Sequence, residues 1–126
     1  MKERIRRDTS RPPQREVCFL IGRGGAILWA DASDSPAALP DSRERWDAIW
    51  RHRDELDVIA HSHPIGPSVF SAEDESTMEA LDSALGKKMN YMVVAPRVTI
   101  SREGTVSPEP WWVALLRLAS GMRKDN

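Results

Sequence analysis

The segment HSHPIGPSVFSAED, residues 61–74, places His61, His63, Ser71 and Asp74 at short, regular spacings. A strand sends alternate side chains to one face. His61 and His63, at the end of a strand expected over 57–63, therefore point the same way and can share one ion. Ser71 and Asp74 are three apart and become neighbours at a helix start. Two imidazoles and one carboxylate are a common donor set for catalytic zinc, with water in the fourth position. Zinc held this way brings the pKa of its water to about 7, so hydroxide is available near neutral pH. Cleaving an amide with that water also requires a group that takes its proton and passes it to the leaving amine. Glu16 opens an otherwise apolar strand, where a carboxylate is costly without a partner or a task, and it is the candidate. Each feature also has a plainer explanation. Ser-x-x-Asp is a helix cap with an acidic first turn, and His-x-His alone is often surface or packing. Glu16 alone reads as an exposed charge at a strand end. The capping and ligand readings are compatible, because a cap would hold the carboxylate in place.

The elements that must position these residues follow from periodicity and turn chemistry. EVCFLIG, residues 16–22, is an apolar run ending at glycine and reads as a buried strand. GRGG suggests a tight turn, with AILWAD, residues 26–31, as the returning strand of a hairpin. Asp41 or Ser42 can cap a helix through RERWDAIWRHRDEL, with Trp46, Ile49, Trp50 and Leu56 mainly on one face. Pro64, Gly66 and Pro67 mark a loop, and a helix is expected from Ala72 to Leu85 with Gly86 as its stop. MNYMVVAP and VTISRE read as two more strands, with Gly104 in a turn. Ser107-Pro108 is expected to open a last helix carrying Trp111, Trp112, Leu115, Leu116 and Ala119. Strands alternating with helices argue for a mixed α/β sandwich around a small sheet.

With 126 residues the chain fits one domain, and 40% hydrophobic with 29% charged residues is a globular composition. A net charge of −1 gives no global field for nucleic acid, and no apolar run approaches the ~20 residues of a membrane span. The start lacks the apolar core of a signal peptide, and Cys18 is the only cysteine, so a cytoplasmic location is the expectation. Cys18 reads as a small buried hydrophobe and His52 as solvent-facing. Residues 1–13 read as a flexible basic segment and 14–126 as the single domain. The tryptophans at 46, 50, 111 and 112 fit packing positions, with one or two available for a partner surface.

The order EVCFLIG, HSHP and SAED resembles the JAB/MPN metalloproteases, the JAMM peptidases. Their pattern is a glutamate on an early strand, then His-x-His-Pro, seven residues to a serine, and x-x-Asp. In this chain residues 64–70 are those seven, and Phe19 stands where many relatives carry glycine. The resemblance implies an α+β, cytidine-deaminase-like sandwich, a small mixed sheet flanked by helices. It implies one zinc held by His61, His63 and Asp74 with a catalytic water. Glu16 would be general base and acid, and Ser71 would hydrogen-bond the water or the developing oxyanion. The implied reaction is hydrolysis after the C-terminal glycine of a ubiquitin-like protein, as deconjugation or precursor processing. Two alternatives accompany it, a non-catalytic MPN scaffold and a processing peptidase for a sulfur-carrier protein. An amidohydrolase barrel with His-x-His is excluded by length, since that fold needs ~200 residues or more.

Overall fold

The computed structural model describes residues 13–122. The expectation of a flexible basic start falls almost wholly outside them. Six strands form one sheet in the order β2-β1-β3-β4-β5-β6. They are β1 (Val17–Gly22), β2 (Ile27–Ala32), β3 (Leu56–Ser62), β4 (Asn90–Val94), β5 (Thr99–Ser101) and β6 (Gly104–Thr105). Among the described residues the helices are α1 (Arg43–Arg51), α2 (Ala72–Leu85) and α3 (Trp111–Ala119). All strand pairs are antiparallel except β3–β4, whose parallel pairing needs a crossover, and α2 supplies it.

Period-two alternation divides the sheet into two faces. Val17, Phe19, Ile21, Val58, Ala60 and Val94 meet Trp112, Val113 and Leu116 of α3. Phe19, 5% exposed, contributes a large side chain to this layer. Cys18, Leu20, Ile59 and Tyr91 face the other way, against Ala48 and Ile49 of α1 and Leu81 of α2. Cys18 is buried as expected, and burial pushes its thiol up to about 12. Arg45 ties α1 to β2 through a two-pronged pair with Asp31, at 3.1 and 2.8 Å.

Two helix boundaries differ from the sequence expectation. α1 stops at Arg51 instead of running to Leu56. The Glu55 and Leu56 amides fold back onto the His52 carbonyl, and this turn releases Leu56 to pair with Gly22 in the sheet. Trp50, expected on the packed face of the helix, is 54% exposed. His52, expected in solvent, ends α1 and lies 2.9 Å from Glu55 with only a fifth of its side chain exposed. The last helix begins at Trp111 and not at Ser107-Pro108. Ser107 and Glu109 each precede a proline, which disfavours helical backbone at both. Pro110 is the cap residue in extended conformation, and Glu109 is held by Thr99 and Arg117. Among the described residues no helix is long and apolar enough to cross a membrane.

Candidate metal centre

Three elements deliver the chemistry to one point. Glu16 immediately precedes β1, His61 lies in β3, and His63 follows it. Register places Cys18 opposite His61, so Glu16, Cys18, His61 and His63 share the sheet face toward α1 and α2. The third element is the start of α2. Ser71 and Asp74 form a reciprocal cap there: the Asp74 amide donates to Ser71 Oγ at 3.0 Å, and the Ser71 amide donates to Asp74 Oδ2 at 2.8 Å. The cap fixes the carboxylate at the mouth of the sheet.

The donor atoms converge. His61 Nε2 and His63 Nε2 are 3.1 Å apart. Asp74 Oδ1 is 3.1 Å from His61 Nε2, and Oδ2 is 3.4 Å from His63 Nε2. Donors about 2.0–2.1 Å from a tetrahedral ion stand about 3.3–3.4 Å from one another, so this spacing fits a zinc-sized centre. A Glu16 carboxylate oxygen and both imidazoles also lie within 4.8 Å of one another, a group able to hold a metal ion. His63 Nδ1 is 3.0 Å from the Pro67 carbonyl, which can only accept, so Nδ1 carries a proton and Nε2 is the ring atom turned toward His61 and Asp74.

Burial sets the electrostatics. Glu16, 6% exposed, has its carboxyl pushed up by burial, against the pull of His63 and His61. Asp74 goes the other way: burial would raise it, but hydrogen bonds from His61, His63 and the Ser71 amide hold it far below the usual carboxylate range. Burial opposes charge on His63, yet Asp74 and the Pro67 carbonyl raise it above the ordinary imidazole value. A cleft of about 940 Å³ opens from this point between α1 and α2, with Ile49, Ile59, Met78, Leu81 and Tyr91 along its walls.

The structure thus brings together all five residues singled out in the sequence. It adds two that sequence reasoning passed over. Pro67 acts through its backbone carbonyl, which carries no sequence signal. Ser62, between the histidines, accepts the Val17 amide at 2.8 Å from the opposite face of β3. His-Ser-His places it, but its partner is 45 positions away.

A family model described as prokaryotic homologs of the JAB domain matches residues 1–113. The chain belongs to this family, and the six-stranded mixed sheet with its helices agrees with the JAB/MPN fold. A comparison with curated proteins gave no match.

Proposed function

We propose that this chain is a zinc-dependent peptidase or isopeptidase that cuts after the C-terminal glycine of a ubiquitin-like protein. The observation that carries this reading is the approach of His61, His63 and Asp74 to within 3.1–3.4 Å of one another at the end of an open cleft. These three residues would hold the ion, which when bound supplies Lewis-acid polarisation and an activated water near neutral pH. Glu16 takes the water's proton and returns it to the leaving amine. The Ser71 oxygen accepts the Asp74 amide, so its own proton is available to stabilise negative charge developing on the scissile carbonyl. The Pro67 carbonyl keeps the His63 ring in its ligand orientation. A glycine tail is extended and unobstructed by side chains, so it suits an approach lined by His63, Gly66 and Glu73.

The exposed apolar stripe of α3, Trp111, Leu115 and Leu118, favours a second reading, a scaffold in a protein assembly. A cleavage panel separates the two. Zinc-loaded protein is given ubiquitin-like and sulfur-carrier domains fused to a reporter, with glycine or leucine before the junction. Cleavage of the glycine fusions is expected, and Glu16→Gln should retain zinc while slowing turnover at least ~100-fold. Equal cleavage of glycine and leucine fusions refutes tail specificity. No cleavage at full zinc occupancy refutes the enzymatic reading.

A further inference from the structure

Ser62 and Ser120 are both fully buried, on the sheet side whose layer is built of Val, Ile, Leu, Ala, Phe and Trp side chains. Two hydroxyls in such a layer are costly unless every polar group is matched. Here they are. The Val17 amide donates to Ser62 Oγ at 2.8 Å, and Ser62 Oγ lies 2.8 Å from Ser120 Oγ. Ser120 Oγ in turn reaches the Arg15 carbonyl at 2.5 Å. One assignment of protons satisfies all three contacts: Val17 N–H to Ser62, Ser62 O–H to Ser120, and Ser120 O–H to the Arg15 carbonyl. The Arg15 amide closes the loop by donating to the Ser120 carbonyl at 3.0 Å.

The Arg15 carbonyl and the Val17 amide belong to the two peptide groups that flank Glu16. The relay therefore grips the backbone on both sides of that residue. It anchors the grip to the β3 residue between the two histidines, and to the end of α3. Glu16's own amide and carbonyl are bonded separately, to Ser35 and Ser33. We infer that the Ser62–Ser120 pair is a positioning device that sets the Glu16 carboxylate against His61 and His63. The inference rests on the proton-transfer role proposed for Glu16.

The test uses the zinc-loaded chain and a Gly-Gly peptide joined to a fluorogenic aminocoumarin amide. Ser62→Ala should keep full zinc, an unchanged cobalt(II) absorption spectrum after metal exchange, and KM within about twofold. Its kcat should fall about tenfold to a hundredfold, the scale expected of a misplaced catalytic group. The Val17 amide should exchange with solvent faster in the metal-free protein, and Ser62→Thr should restore both readouts. In a Glu16→Gln background Ser62→Ala should cost nothing further, because the serine acts through the glutamate. Ser120→Ala breaks the same relay one bond further on and must behave alike, which serves if Ser62→Ala does not fold. Undiminished kcat in the serine variants, loss of zinc from them, or an equal fold-loss in the Glu16→Gln background overturns the inference alone. Full turnover by Glu16→Gln itself overturns the role of Glu16, and this inference with it.

Discussion

Of the five carboxylates on helix α2, Asp74 and Asp82, about two turns apart, each gather residues from other elements. Asp82 receives the Met89 amide at 2.9 Å, the Tyr91 hydroxyl at 2.9 Å and the Arg102 guanidinium at 2.6 Å. The same guanidinium covers the Tyr91 ring, 4.6 Å from its centre. A permanent cation is built into that cluster, and it joins α2 to β4 and the turn after β5. Asp74 receives the Ser71 amide and otherwise faces two imidazoles. Its neighbours are imidazoles whose Nε2 atoms converge on its own oxygens. The first arrangement pairs its carboxylate with a cation of the chain itself and ties neighbouring elements together. The second carries no permanent cation of its own, and on the proposed function a metal ion would supply one.

The largest expected effect tests the open cluster. Asp74→Asn should weaken zinc binding by at least ~100-fold, more than the loss typical of groups that only support a ligand. It should also abolish the rise in Tm that zinc gives the parent chain, since a metal bound only to the folded state stabilises by mass action. Elemental analysis and melting curves with and without zinc read both. Equal zinc responses in parent and variant would erase the distinction between the two carboxylates.

Asp82→Asn should do the reverse: zinc stoichiometry stays at the parent value, while stability falls by about 2 kcal/mol in urea, the scale of hydrogen bonds to a charged group. Unchanged stability would mean that the Arg102 cluster is decorative.

The start of α2 was legible in the sequence because its signals are local. Ser71, Asp74 and Gly86 are the cap and stop of α2 at the expected positions. The shared face of His61 and His63 follows from strand alternation alone. What escaped reading depends on distant partners. Leu56 looks helical beside Trp46 and Ile49 until Gly22 pairs with it in the sheet. Arg102 and Asp82, or Ser62 and Ser120, are unremarkable until β4 and α3 place them side by side. The grouping of Glu16 with the histidines is intermediate: strand placement gives the face, but only the register of β1 on β3 gives the distance.

Acid provides a smaller effect of known sign. Burial would raise the Asp82 carboxyl, but Met89, Arg102 and Tyr91 hold it below its ordinary value. Its contribution is therefore present above the unfolded carboxylate value of about 4 and is lost as pH falls through the folded value. Urea titrations from pH 7 to pH 2.5 should show a shallower acid loss in Asp82→Asn than in the parent. Parallel curves would count against the charge of Asp82 as the source. The smallest effect belongs to the cap: Ser71→Ala should cost about 1 kcal/mol, with zinc still bound.

The bond from His63 to the Pro67 carbonyl has a consequence for how this segment can change. Every residue type offers a main-chain carbonyl, so the support of the ring does not depend on a side chain. Pro64 is buried, but residues 65–69 all lie exposed. The segment is thus a cassette of fixed length and open spelling. Ile65, Ser68 and Val69 can be rewritten without disturbing the ring, whereas removing one position between His63 and Pro67 would withdraw the carbonyl and release it.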